Sequence, residues 1–348
     1  MNRVRIGPRT IGDGESCYVI AEAGSNHNRD LDTARRLVDV AVAAGADAVK
    51  FQTYSGRALY STHTPRFEYL GDLGDKPPHE LLDELALPRD WQPVLAEHCR
   101  EAGIEFLSSP FDREAVDELD ALDVAAFKVA SFEIVDLPFI EYIGGRGRPL
   151  IISTGMASLG EIEEAIAAAS AGGSSDVCLL QCASVYPAPA RALNLSAIPM
   201  MKQAFAVPVG LSDHSLGIHL AAAAVALGAN LIEKHFTLDR SQPGPDHGFA
   251  IEPDELRDLV AHVRDVELAL GDGTKHGPTV DEAHEMYEKA RRSIVAATAI
   301  PHDTEITPDM LVVKRPGFGI MPRFLPAVVG RRARRDIDAD EVITWDMV

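Results

Sequence analysis

The sequence predicts a closed parallel (β/α)8 barrel of the TIM-barrel class followed by a small β-rich domain, and three observations carry that expectation. Short apolar runs alternate with amphipathic or alanine-rich segments eight times between about residues 17 and 270. The runs are almost continuously apolar, as strands covered on both faces are, whereas an antiparallel sheet with one wet face alternates. After Gly271-Asp-Gly273 and a polar stretch to Ala290, the composition changes to short β-rich runs punctuated by Pro301, Pro308, Pro316, Pro322 and Pro326. The expected division is therefore 1–270 for the barrel, 271–290 for a linker and 291–348 for the small domain. An open doubly wound sheet is the alternative arrangement of the same elements.

In chain order, strands are expected near 17–23, 46–53, 104–109, 125–131, 149–153, 176–182, 207–212 and 230–236. Helices are expected near 31–44, 89–102, 112–121, 136–144, 158–171, 194–204, 215–227 and 253–269. The longest interruption, Tyr54 to Pro88, contains Pro65, Gly71, Gly74, Pro77 and Pro78 and follows a strand at its C-terminal end. Loops of that length in a compact domain are usually functional. In the second domain, Ser293-Ile-Val and Leu311-Val-Val read as short strands. The cluster Arg331-Arg-Ala-Arg-Arg335 reads as a solvated face.

The 348 residues allow one large domain plus a smaller one, and a hydrophobic fraction of 46% is ample for a core. A net charge of −20 argues against nucleic acid or an anionic membrane as partner. Any anionic substrate must then be drawn in by local positive charge. Residues 1–10 lack the apolar core of a signal peptide, and no run approaches the roughly 20 apolar residues of a membrane span. The four cysteines (Cys17, Cys99, Cys178, Cys182) follow no Cys-x-x-Cys spacing, and strand geometry keeps Cys178 and Cys182 too far apart to bridge. A soluble cytoplasmic protein with reduced thiols is expected.

Two apolar runs end in Gly210-Leu-Ser-Asp-His214 and Ile232-Glu-Lys-His235, joined by an alanine-rich, proline-free segment suited to a crossover helix. Such a connection sets the strands side by side with their C-terminal ends at one edge, so His214 and His235 can converge as metal ligands must. Lys50 and Lys128 each sit inside an apolar strand. A buried ammonium needs an anionic partner, either internal (Glu22, Glu133) or a bound anion. Ser109, Ser131, Ser153, Ser184 and Ser212 all fall at or just beyond strand ends, the face where barrels bind substrate. Five hydroxyls and two lysines on one rim describe a phosphate- and carboxylate-binding mouth. Glu233 shares strand parity with His235, which suits an orienting role or a core ion pair.

Nine ordered motifs carry a resemblance to a known family: Ile20-Ala-Glu-Ala-Gly-Ser-Asn-His27, Val49-Lys-Phe-Gln-Thr53, Ser108-Ser-Pro-Phe111, Phe127-Lys-Val-Ala-Ser-Phe-Glu133, Ser153-Thr-Gly-Met156, Gly210-Leu-Ser-Asp-His214, Glu233-Lys-His-Phe236, Pro243-Gly-Pro-Asp246 and Lys314-Arg-Pro-Gly317. Spread over nearly the whole chain, they resemble the signatures of the sialic acid synthase (N-acetylneuraminate synthase) family. The resemblance implies a barrel joined to a C-terminal antifreeze-like (SAF) domain. It implies condensation of phosphoenolpyruvate with an N-acylmannosamine-type aldehyde sugar and water, giving a nine-carbon 2-keto-3-deoxy acid and phosphate. It places a divalent metal, manganese or else cobalt or magnesium, on His214 and His235. Phosphoenolpyruvate falls to Lys50, Ser109, Lys128, Ser131, Ser153, Ser184 and Ser212. The sugar falls to Glu22, Gln52, Tyr186 and Asp246, with Arg315 reaching in from the other subunit of a domain-swapped homodimer. Ser109 stands where some members have threonine and Ser184 where some have asparagine. Phe132 replaces a small residue of some members, so it is expected to reshape the pocket beside Glu133.

The chemistry suits these parts. A metal on two imidazoles keeps open positions for an aldehyde oxygen. Glu22 or Glu133 can move a proton, and water added at C2 expels phosphate with C–O cleavage. No Gly-rich phosphoryl-transfer loop is present to favour P–O cleavage. The alternatives are another phosphoenolpyruvate-condensing keto-acid synthase, a metal-dependent pyruvate aldolase, or a sugar- or ice-binding module. The last leaves the barrel's lysines, histidines and serines without a role.

Overall fold

A computed structural model describes residues 3–65, 76–283 and 285–348. The chain opens with an antiparallel hairpin, β1 (Val4–Ile6) and β2 (Arg9–Ile11). The eight apolar runs then form eight parallel strands: β3 (Tyr18–Glu22), β4 (Ala48–Thr53), β5 (Glu105–Pro110), β6 (Phe127–Val129), β7 (Leu150–Ser153), β8 (Val177–Cys182), β9 (Val209–Asp213) and β10 (Leu231–His235). Their ladders run β5-β4-β3-β10-β9-β8-β7-β6. β6 packs against β5 at the remaining seam without a registered ladder, so the sheet is a near-closed barrel and the expected fold class holds.

Helices cover the outside because one stripe of each is apolar. The first, Leu31–Ala44, buries Ala34, Leu37, Val38 and Ala41 at helical spacing. The Asp30 carboxylate accepts the Thr33 N–H at its start, and Gly45 at φ 79° ends it. The larger apolar core lies between this layer and the outward faces of the strands. Inside the barrel, side-chain alternation gives each strand an inward set. On β3 that set is Tyr18, Ile20 and Glu22; on β4 it is Ala48, Lys50 and Gln52. The register sets Glu22 beside both Lys50 and His235, Gln52 beside Ser109, and Glu233 beside Ser212. The inward columns are therefore mostly apolar toward their N-terminal ends and polar at their C-terminal ends, with Glu105 at the start of β5 the exception.

The apolar end is closed by the hairpin, whose Val4, Ile6 and Ile11 pack with Tyr18, Ile20, Leu107, Ile151, Leu180 and Leu231. Sequence reading did not reveal this plug, because three-residue strands are shorter than any periodic window. Other departures are local. β6 is only Phe127–Val129, shorter than the strand expected over 125–131, and a 3-10 turn over Ser131–Val135 follows it. The interval 54–88 was read as loop, yet Gly56–Leu59 and Pro78–Leu85 are helical, while its residues 66–75 lie outside the described residues. All four cysteines are free and buried. Among the described residues, no helix is long and apolar enough to cross a membrane.

The chain divides into Met1–Gly271 and Asp272–Val348. In the second unit β11 (Ser293–Ala296) pairs antiparallel with β12 (Leu311–Lys314) over a core that includes Ile294, Ile306, Ile320, Val328 and Ile343. Residues 272–290 carry two single-turn helices, Val280–Ala283 and Met286–Lys289. The second of these accepts the Gly317 N–H at the Glu288 carbonyl, 2.6 Å away. In the arginine cluster, Arg335 pairs with Glu341 and Arg331 lies over the Trp345 ring at the surface.

Candidate active site

The polar ends of the barrel columns line an open cavity of about 1050 Å3. Its floor is a buried charge cluster. Lys50 Nζ lies 2.7 Å from Glu22 Oε2, 3.2 Å from Ser109 Oγ and 3.7 Å from Glu233 Oε1. Lys128 Nζ lies 3.9 Å from the same Glu233 oxygen and donates to its neighbour's carbonyl, Val129 O, at 3.1 Å. Gln52 donates to Glu22 Oε1 at 2.7 Å and Ser212 to Glu233 Oε1 at 3.2 Å. Both lysines are 3% exposed or less, and internal ion pairs hold them, with Glu22 as one of the two expected partners and Glu233 in place of Glu133 as the other.

Two lysines against two glutamates leave this floor nearly neutral, and burial decides how each group holds its proton. Desolvation pushes Glu22 up to about 7 against the pull of Lys50. Desolvation acts to lower Lys50, but Glu22 and Glu233 outweigh it and hold the ammonium above its usual value. Lys128 is lowered by burial, only partly offset by Glu233. Glu133 sits in the 3-10 turn after β6, and burial pushes its carboxyl up to about 7. Its Oε2 is buried without a hydrogen-bond partner.

His214 and His235 leave adjacent strands with ring centroids 5.4 Å apart. His214 is oriented through Nδ1, 2.9 Å from the Ala183 carbonyl, and Tyr186 stacks on it at 4.3 Å. Burial holds His235 down to about 4, so its ring is a neutral donor, and its Nδ1 is buried without a partner. These features fit a metal bound by imidazole. Among the described residues, no group of three or more His, Cys, Asp or Glu is gathered to hold an ion. Asp246 lies beside the pair, its Oδ2 accepting from Ser25 N at 3.1 Å and Ser25 Oγ at 3.0 Å. Gly24, at φ 50°, permits this approach: a Cβ there would stand 2.6 Å from Asp246 Oδ2 and 3.3 Å from His235 Nδ1.

Of the residues expected at the site, Glu22, Lys50, Gln52, Ser109, Lys128, Ser131, Ser153, Tyr186, Ser212, His214, His235 and Asp246 line this one cavity. Ser184 lies just behind it, where a Cβ on Gly155 would strike both the Ser184 and Ser131 hydroxyls. Ser153 Oγ and Ser184 Oγ are buried without partners, the state of donors aimed at something absent from the chain itself. Glu133 does not line the cavity, while Phe132, 53% exposed, does. Arg315 belongs to the second unit, in the turn after β12. Sequence reasoning gave no role to Ser25, Tyr54, Phe111 or Phe249. The last of these packs edge-on against His235, ring centroids 5.0 Å apart.

Residues 37–275 match the NeuB family, and residues 291–348 match the SAF domain. The chain belongs to the NeuB family. Its similarity to other NeuB-family proteins runs almost end to end. The N,N'-diacetyllegionaminic acid synthase of Campylobacter jejuni is 39% identical, over 93% of this chain and 98% of that one. The human N-acetylneuraminate-9-phosphate synthase is 36% identical, over 98% of this chain and 95% of that one. The crystal structure of the N-acetylneuraminic acid (sialic acid) synthetase of Leptospira borgpetersenii, in complex with citrate, superposes with a TM-score of 0.72 at 35% identity. That superposition covers 82% of this chain and 95% of the other. The NeuB-family chain is thus an enzyme of the synthase type.

Proposed function

We propose that this enzyme condenses phosphoenolpyruvate with an N-acylated aldehyde amino sugar and water, giving a nine-carbon 2-keto-3-deoxy acid and phosphate. The observation that carries the reading is the joining, in one cavity, of a lysine-and-hydroxyl floor with a pair of neighbouring histidines. Lys50 and Lys128, with Ser109, Ser131, Ser153, Ser184 and Ser212, bind the phosphate and carboxylate of phosphoenolpyruvate. Glu22, Gln52, Tyr186 and Asp246 face the sugar. His214 and His235 would hold a divalent metal, manganese by family resemblance, which when bound supplies Lewis acidity toward the aldehyde oxygen. C3 of phosphoenolpyruvate attacks the aldehyde carbon, and water adds at C2. The tetrahedral C2 then expels phosphate with the bridging oxygen, whose charge the lysines receive. Glu22, which lines the cavity and is pushed up to about 7, is suited to hand over or take up a proton near neutrality, whereas Glu133, the other carboxyl expected from sequence, stands outside the lining.

The cavity wall bears on which sugar is used. Leu59, Leu82, Leu85, Tyr54 and Phe111 line it, with Tyr54 and Phe111 edge to face at 5.8 Å. The two short helices behind it are pinned together, the Asp83 carboxylate accepting the Gly56 N–H. Among the described residues, the only lysines or arginines lining the cavity are Lys50 and Lys128. Burying a phosphorylated sugar against such a wall leaves a dianion uncompensated, whereas acyl and deoxy methyl groups gain from it. The described wall accordingly favours a sugar that carries apolar substituents.

Phosphate release from phosphoenolpyruvate with manganese tests both levels, using N-acetylmannosamine, its 6-phosphate and a 2,4-diacetamido-2,4,6-trideoxyhexose as aldehydes. Sugar-dependent release is expected, with the highest kcat/KM for the deoxy sugar and heavy bridging oxygen recovered in the phosphate. Lys128→Met should lower kcat/KM by about 100-fold or more. No release with any aldehyde would sink the reaction. A preference for the 6-phosphate would sink only the reading of the wall.

A further inference from the structure

The outward faces of β9 and β10 carry charges that the proposed reaction leaves unused. Asp213 and Lys234 are registered partners, each one residue before a candidate ligand, His214 and His235. Their side chains point away from the cavity and are 0% and 1% exposed, with Lys234 Nζ 2.9 Å from Asp213 Oδ2. Asp213 Oδ1 accepts from Ser215 N at 2.9 Å and Ser215 Oγ at 2.6 Å, while Lys234 also donates to the Ser215 carbonyl. The backbone on both sides of His214 is thereby tied to the residue preceding His235.

Stability alone gives little reason to keep such a pair. Taking two charges out of water costs about what their attraction returns, and apolar residues of equal volume often serve the fold as well or better. Directional bonds do what apolar packing does not, because they hold two strand ends at one separation. We propose that Asp213 and Lys234 are positioning residues that set the separation and facing of the His214 and His235 imidazoles. The consequence for a bound divalent cation rests on the metal reading above; the consequence for ring geometry does not.

The test is the double variant Asp213→Leu/Lys234→Met, since either single change strands a buried charge. The double variant should fold with an unchanged or raised thermal midpoint. Its Mn2+ affinity, read by paramagnetic resonance titration without substrate, should fall at least tenfold, and its crystal structure should show the rings moved from their 5.4 Å separation. A lowered midpoint or failure to fold, with rings and affinity unchanged where measurable, makes the pair a structural ion pair and overturns the proposal. If the wild-type protein binds no Mn2+, the metal reading fails, and ring separation in the variant crystal still decides the clamp.

Discussion

Glu133 shows how burial alone can prepare an acid. Its carboxyl belongs to the 3-10 turn after β6, and desolvation, aided by Asp136, outweighs the pull of a backbone hydrogen bond and of Lys128 to set it at about 7 against the usual 4.5. A carboxyl raised in the folded state stabilises the fold below its unfolded value, and that contribution is lost as pH rises through the folded value. Stability of the substrate-free protein should therefore decline between pH 4.5 and 7. Glu133→Gln should flatten part of that decline, Glu22 retaining the rest. Urea midpoints across this range provide the measurement, and equal slopes for both proteins would rule the assignment out. The inward lysines were legible in the sequence because ammonium groups inside apolar runs demand partners. Their partner Glu233 was visible only by strand parity. Ser25, Asp213 and Lys234 lie within motifs that carry the resemblance, but their spacing alone assigned none of them a contact.

At the level of elements, all eight barrel strands were readable because burial on both faces leaves a run of apolar residues that nothing else in the chain imitates. The crossover helices were readable for the complementary reason, one apolar stripe at helical spacing. What escaped were the three-residue strands of the hairpin β1–β2 and, in the proline- and glycine-rich interval 54–88, the helices Gly56–Leu59 and Pro78–Leu85. Yet the hairpin is part of the interior. Ile6 is fully buried among the inward residues of the strands. Ile6→Ala should cost about 2–4 kcal/mol in urea unfolding, a core value and not a surface one. A loss under about 0.5 kcal/mol, the range of surface changes, would mean the plug is not load-sharing.

For the whole molecule, a net charge of −20 and a lysine-floored cavity set opposite demands on an anionic substrate, which the repulsive surface must admit and the floor must hold. Raising ionic strength screens the first more than the second. The family resemblance places Arg315 at the mouth of a neighbouring subunit's barrel. Mixing inactive Arg315→Ala with inactive Lys50→Ala should then restore activity, since a mixed dimer keeps one mouth with both residues. No recovery in verified mixed dimers would remove that arrangement. The hairpin plug also orders events in time. Val4, Ile6 and Ile11 share one cluster with residues from Tyr18 to Leu231 on the last barrel strand, so the hairpin completes its set of neighbours only after β10 has left the ribosome. Until then the barrel floor is an exposed apolar ring, and chaperone dependence of this protein should follow the length of nascent chain up to β10 and not beyond.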